Sequence, residues 1–314
     1  MGRYILKRLL IAIPVLIGIS FISFFLVRLV PGDTVTALLG SNYNEEQALI
    51  LREKLGLDQP LIVQYGLWMA NVLQGDLGYS SFTNQPVATA LMERLPITIE
   101  LTVISVVFAL IIAIPLGTYA AVKRNSPMDY GASFFGMFGI SVPNFWLGTI
   151  MILVFSLHWG ILPSGGFVGL AEDLGGNIRS MAMPGIALGT AVGAVVMRMT
   201  RSSMLEVVGE EYMKMAKAKG VSQSRWIWKH GLKNALIPVI TVVGIQTGYL
   251  LGGSVVIEQI FSLPGVGRLA LQAIANRDYS LLQGAILLIA TTFVIINLIV
   301  DILYAYLNPK IRYD

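Results

Sequence analysis

The chain has 314 residues, 55% hydrophobic and 13% charged, with a net charge of +4 and a mean hydropathy of +0.72. A soluble domain carries about 25% charged residues, so charge this sparse cannot cover a water-soluble globule and lipid is the expected solvent. The absence of cysteine excludes disulfides, thiol nucleophiles and cysteine metal sites, and the two histidines, His158 and His230, lie too far apart in sequence to read as a ligand cluster.

Charge-poor apolar runs of about the 20 residues needed to cross a bilayer predict helices over 9–29, 97–122, 130–157, 183–199, 235–257 and 281–307, the fourth being the shortest. The N-terminal MGRYILKR, the apolar run and the small residues at 35–37 imitate a secretory signal. The run is longer than the about 7–15 residues of a signal core, so an uncleaved first span is expected. Pro115 and Pro143 fall inside the second and third runs and predict kinks, which membrane helices tolerate where neighbours satisfy the freed carbonyl.

Lysine and arginine set the direction. Arg3, Lys7 and Arg8 precede the first run, and Lys123 and Arg124 follow the second. Arg198, Arg201, Lys214, Lys217, Lys219, Arg225, Lys229 and Lys233 lie between the fourth and fifth, and Lys310 and Arg312 follow the sixth. All of these fall on one side, which is then the cytoplasm, with both termini inside. The other side holds Arg52, Lys54, Arg94, Arg179, Arg268 and Arg277, with Arg28 at the outer edge of the first span. The basic excess follows from topology, and nucleic acid is not needed to explain it.

The first external segment, 30–96, carries helix punctuation. Asn44 caps a helix beginning Glu45-Glu46 that Gly56 ends, Pro60 opens LIVQYGLWMANVLQ before Gly75, and Pro86 opens a third helix, VATALMERL. A small external helical cap is expected. It holds Asp33, Glu45, Glu46, Glu53, Asp58, Asp76 and Glu93, and reads either as a solvated acidic surface or as a docking surface for an external partner. The last external segment, 258–280, has a Pro264-Gly265 turn and a helical pattern from Arg268 to Ala275 too short to span. It reads as an interfacial connector or as a re-entrant element at the outer mouth of a pathway. Gly252 and Gly253, just before it, favour the second by permitting close backbone approach. Glu258, Arg268 and Asp278 of this segment are candidate gate residues, and Asn144 and Gln246 are candidates for the path.

Catalytic signatures are missing. There is no G-x-x-x-x-G-K-[ST], no H-E-x-x-H and no G-x-S-x-G. Ser164, His158 and Asp173 share an external segment, but nothing specifies their geometry and PSGG at 163–166 reads as a turn. Ionisable residues inside spans are functional candidates. Glu100 lies near the outer end of the second span and reaches the interface. Asn297 and Asp301 stand four apart on one face of the sixth, an intramembrane polar pair with Arg198 or Arg201 as an expected partner for Asp301. No relay of Asp, Glu and His suggests an ion-driven carrier, which together with a self-sufficient channel remains the alternative from another class.

Between the fourth and fifth runs, EEYMKMAKAKG predicts a short helix over 210–219, with Glu210 and Lys214 paired at i,i+4 and Gly220 ending it. Ala216 and Gly220 form a smooth stripe, and Met213 and Met215 are adaptable apolar contacts. A basic loop that only touches anionic lipid explains the charges but not the capped helix.

Glu211 through Gly220, followed by KNALIP (233–238), resembles the cytoplasmic EAA loop of ABC-importer permeases, with Lys214-Met215-Ala216 in place of the Glu-Ala-Ala triplet. RYILKRLL…IP…VPGD (3–33), LGLDQP (55–60), SVPNFW (141–146), IFSLPGVGRL (260–269), RDY (277–279) and NLIVDILYAYLNPKIR (297–312) are similar to the dipeptide/oligopeptide/nickel permeases, the first of their two permease subunits, nearly end to end. The resemblance implies an all-α polytopic membrane protein with six transmembrane helices and a cytoplasmic coupling helix between the fourth and fifth. It implies one permease domain over 1–314, with the cap at 30–96, the coupling loop at 200–234 and the re-entrant segment at 258–280. It further implies a bacterial inner-membrane subunit that is not an enzyme and binds no cofactor. ATP-Mg is used by two partner ATPases, which Glu211, Met213, Ala216, Lys217 and Gly220 would contact. A homologous second permease and an external solute-binding protein complete the assembly. The implied cargo is short peptides, with nickel complexes, glutathione or another small solute as alternatives.

Overall fold

The computed structural model describes residues 2–29, 44–54 and 58–307. Gly56, the VPGD segment, Lys310 and Arg312 lie outside the described residues. Within them the chain runs α1 (Gly2–Leu29), α2 (Glu45–Lys54), α3 (Leu61–Leu73), β1 (Tyr79–Ser80), β2 (Gln85–Pro86), α4 (Val87–Val122), α5 (Pro127–Ser141) and α6 (Asn144–Met151). A π-helical Ile152–His158 extends α6; then come α7 (Leu174–Gly209) and α8 (Glu211–Ala218). A turn at Gln223–Arg225 and a π-helical Trp226–Leu232 lead into α9 (Lys233–Ile260), followed by α10 (Val266–Ala275) and α11 (Tyr279–Leu307). Among the described residues five helices are long and apolar enough to cross a membrane, six if α5 and the extended α6 form one bent span.

The expected third span, 130–157, is not a single helix. α5 stops at Ser141, and the helix resuming at Asn144 is bent from it by 100°. Pro143 disfavours helical backbone at the residue before it, and Val142 is extended at φ −85°, ψ 121°. The separate helix expected over VATALMERL is also absent: α4 runs unbroken from Val87 to Val122 through Pro96 and Pro115. Val87, Ala90 and Leu91 on its first turns are buried against Val266, Leu269 and Ala273 of α10 and Leu281 and Ala285 of α11. That packing offsets the about 3 kcal/mol that an interior proline costs.

The chain divides into two compact units, the first built on Thr98–Leu263, the second on Leu6–Ile97 and Pro264–Val294. In the first, α7 is central and 78% of its most apolar window is buried, against 39% for α4. This is why the shortest apolar run belongs to a 36-residue helix: a helix covered by protein has little need of large lipid-facing side chains. Its glycines admit neighbours closely. A Cβ on Gly189 would stand 2.6 Å from the Ser105 carbonyl oxygen of α4, and one on Gly139 of α5 would stand 2.7 Å from the Ala194 Cβ of α7.

In the second unit α3 lies against the later half of α1. The Tyr65 and Ser20 hydroxyls are 2.9 Å apart, and Phe24 packs on Tyr65 and Trp68 with ring centroids 5.6 Å away in each case. The Asn44 cap is present, its Oδ1 accepting the Glu46 N–H at 3.0 Å. Two antiparallel pairs, Tyr79↔Pro86 and Ser80↔Gln85, form the hairpin between α3 and α4.

Candidate functional site

α8 begins where Glu210 breaks the helical path of α7 with an extended backbone, φ −68°, ψ 147°. That geometry removes Glu210 from the helix face, so the expected Glu210–Lys214 pair does not form. Lys214 Nζ instead meets Glu211 Oε1 at 2.7 Å, on the exposed surface. The helix ends in a Schellman motif: the Val221 N–H donates to the Ala216 carbonyl at 3.3 Å and the Gly220 N–H to the Lys217 carbonyl at 3.0 Å. Gly220 adopts φ +74°, a conformation glycine reaches without a Cβ penalty.

The underside of α8 is fastened. Met213, expected among the contact residues, is fully buried, because its position faces the π-helical turn rather than solvent. The indole N–H of Trp226 donates to the Met213 carbonyl at 2.9 Å, and the Lys217 Nζ lies 5.8 Å from the centroid of the same indole ring. Asn234 Nδ2 donates to the Tyr212 hydroxyl at 2.8 Å and to the His230 carbonyl at 3.2 Å. Beneath, Ala121, Met204, Ile227, Leu232 and Ala235 form a buried cluster drawn from the ends of α4, α7, the π-helical turn and α9. Ala216 is half-buried, while Glu211, Lys214, Met215, Lys217 and Gly220 are exposed. The result is a short helix with an exposed outer face, packed by its inner side against the ends of several long helices.

Residues 113–313 match the family described as the inner membrane component of binding-protein-dependent transport systems, and residues 1–102 match the N-terminal part of such components. The chain belongs to this family. It is a permease subunit of an ABC importer, a transport protein and not an enzyme, with ATP hydrolysis on separate subunits. A dipeptide transport system permease of Alkalihalophilus pseudofirmus is 43% identical, with all of both chains covered. A glutathione transport system permease of Escherichia coli O6:H1 is 42% identical and an oligopeptide transport system permease of Bacillus subtilis 40% identical, again over all of both chains.

The residues expected on the permease's path and gate are scattered. Asn144 opens α6 and Gln246 lies along α9, both half-buried. Gly252 is exposed and a Cβ there would meet nothing within 4 Å, so it makes no close approach among the described residues; Gly253 follows it in α9. Glu258, fully buried near the end of α9, accepts the Thr98 hydroxyl at 2.8 Å and the Ser254 hydroxyl at 3.1 Å on one carboxylate oxygen. Arg268 lies on α10 and, with Arg94 and Gln272, lines a cavity of about 210 Å³. Asp278 is buried at the start of α11: Oδ1 accepts the Leu281 N–H at 3.0 Å, while Oδ2 accepts the Ser80 hydroxyl at 2.6 Å and the Phe82 N–H at 3.1 Å. It is thus both a helix cap and the anchor of the hairpin turn. Asn297 and Asp301 are half-buried on α11.

Other polar residues already have structural work. Asp173 caps α7 by accepting the Gly175 N–H at 2.9 Å, so it does not serve a triad with His158 and Ser164. The PSGG turn is held by the Gly166 N–H donating to the Phe261 carbonyl at 2.9 Å. Glu100 accepts the Asn177 amide at 2.6 Å rather than simply reaching the interface. Sequence reasoning missed Asp129, whose partner is Arg201 of α7. Ser126-Pro127-x-Asp129 is a readable helix start, and Ser126 Oγ does accept the Asp129 N–H at 3.4 Å. No local pattern connects it to an arginine 72 positions away.

Proposed function

We propose that this permease subunit carries short peptides across a bacterial cytoplasmic membrane, with α8 as the helix that seats in a partner ATPase. The observation carrying the proposal is the construction of α8. Its inner side is locked to the π-helical turn through Met213 and Trp226, and its outer side presents Glu211, Lys214, Met215 and Lys217. A rigid helix tied to several long helices transmits a push without absorbing it. Lys123, Arg124 and the basic residues around α8 support a cytoplasmic position for this end, as the positive-inside rule requires. On that orientation both termini are inside, α5 with the extended α6 is one bent span of six, and the hairpin, α3 and α10 lie on the outer side.

The remaining parts are a homologous second permease, two ATPases that use ATP-Mg, and an external binding protein that delivers the solute. The dipeptide, oligopeptide and glutathione relatives share one cargo chemistry, a few amide bonds between charged ends, and this supports peptides as the class. The test is reconstitution in liposomes with the partner permease, the ATPases and the binding protein. Labelled dipeptide should accumulate only with ATP and all partners present. Accumulation by this chain alone, without an ATPase, would overturn the reading.

A further inference from the structure

A cavity of about 290 Å³ opens between the C-terminal end of α1, α3, β1 and the first turns of α11. That is the size at which small-molecule pockets begin. Its walls hold Arg28, Trp68, Asn71, Asp76, Tyr279 and Gln283. Tyr279 and Gln283 are more than nine-tenths buried, at 7% and 8% exposed. The Tyr279 hydroxyl is itself closed off from the cavity space, whereas the Gln283 amide lines the cavity and makes no hydrogen bond to another described residue. Buried polar groups are almost always paired, and one left unpaired calls for an explanation such as a water or a ligand.

The wall chemistry specifies the ligand. Asp76 Oδ1 accepts the Gly78 N–H at 2.8 Å, which fixes the carboxylate on its turn and leaves Oδ2 without a partner among the described residues. Asp76 shares the cavity wall with Trp68 and Tyr79, and a carboxylate together with aromatic faces suits an ammonium group. Gln283 and Asn71 each offer an amide donor and an amide acceptor, the complement of a peptide group.

We propose that this cavity binds a small solute bearing both a primary ammonium and amide groups, the ammonium on Asp76 and the amides against Gln283 and Asn71. This rests on the reading of the chain as a peptide permease with this end outside, and adds that the permease itself holds the peptide's amino end near its outer face. A phosphatidylethanolamine headgroup shares the ammonium but has no amide.

The test uses the full chain in nanodiscs of phosphatidylglycerol, with labelled alanyl-alanine as probe and equilibrium dialysis as readout. Saturable binding is expected. It should weaken by about tenfold in Asp76→Asn, which keeps an acceptor for the Gly78 N–H and so keeps the turn, and by about three- to tenfold in Gln283→Met, which keeps the length of the side chain. N-acetyl-alanyl-alanine, lacking the ammonium, should bind at least about tenfold more weakly. The proposal is overturned by no saturable binding, by binding indifferent to both substitutions, or by full displacement when phosphatidylethanolamine is added to the nanodisc. ATP-driven uptake by the assembled transporter is measured alongside. Uptake without cavity binding removes this site and leaves the permease reading standing, whereas an assembled transporter that takes up no peptide refutes the substrate reading itself.

Discussion

Arg201 of α7 holds Asp129 of α5 in a two-pronged ion pair, Nε to Oδ1 at 2.6 Å and the terminal nitrogen to Oδ2 at 2.9 Å. The Asn125 N–H also donates to Oδ2, at 3.0 Å, so the turn between α4 and α5 is tied to the helix that leads into α8. Asp129 is 3% exposed, while the Arg201 side chain keeps 28%. Removing one partner strands the other in a poorly solvated place. Asp129→Ala should cost about 3 kcal/mol, the low end for a broken buried pair because Arg201 retains some water. Combining it with Arg201→Ala should cost less than the two single losses added together, by at least about 1 kcal/mol. Thermal unfolding of the solubilised chain gives all three values, and strict additivity would mean that the pair does not join α5 to α7.

Asp278 makes a parallel case in the second unit. One carboxylate caps α11 and accepts both the Ser80 hydroxyl and the Phe82 N–H. A lost helix cap alone costs about 0.5–2 kcal/mol, and Asp278→Ala also strands the Ser80 hydroxyl, which is fully buried. Hydrogen exchange at Phe82 should therefore accelerate in that variant, along with exchange at Leu281. Asp278→Asn keeps an acceptor and should be the milder change. Unaltered exchange at Phe82 in the alanine variant would show that the hairpin is held by other contacts.

What the sequence made legible was local. Apolar run length announced five long apolar helices among the described residues, and Gly220 announced the end of α8, because a positive φ is a one-residue requirement. Asn44 announced its cap because a single side-chain acceptor before an acidic helix start is enough to make one. What stayed hidden depends on partners far along the chain. Pro143 was readable as a kink, but a bend of 100° follows from the two helices it separates. Pro96 looked like a boundary until the leucine and valine packing of α10 and α11 was in place to carry α4 through it. Met213 looked like a contact residue, but its side chain is fully buried and its carbonyl accepts from Trp226, 13 positions on. Arg201 pairs with Asp129, 72 positions before it, where the sequence pointed to Asp301.

The glycines of the first unit separate into those that touch and those that do not. A Cβ at Gly189 would fall 2.6 Å from the Ser105 carbonyl oxygen and 2.8 Å from the Phe108 ring. Backbone cannot step aside, so Gly189→Ala should force α4 and α7 apart at a cost of about 1–3 kcal/mol. Gly252→Ala meets open space within this chain and gains helix propensity, so its unfolding midpoint should be unchanged or higher. Equal midpoints for the two variants would remove the close-packing account of α4 against α7.

Gly220 allows the proposed coupling role of α8 to be tested apart from its folding. A Cβ there would touch nothing within 4 Å, yet the residue sits at φ +74°. Any penalty of substitution is therefore conformational, about 1–2 kcal/mol for alanine and less for asparagine, which visits the left-handed region. Gly220→Ala should loosen the Schellman turn and with it the seating of α8, while the spans, which do not depend on it, remain inserted. In the assembled transporter the expected outcome is fewer peptides moved per ATP hydrolysed, with Gly220→Asn intermediate. The ratio of uptake to hydrolysis measures this directly, and protease protection of the long helices checks insertion in the same samples. If alanine leaves that ratio unchanged, the glycine merely ends a helix and α8 does not couple through its geometry. If uptake and hydrolysis fall together, α8 governs assembly with the ATPase rather than transmission of its stroke.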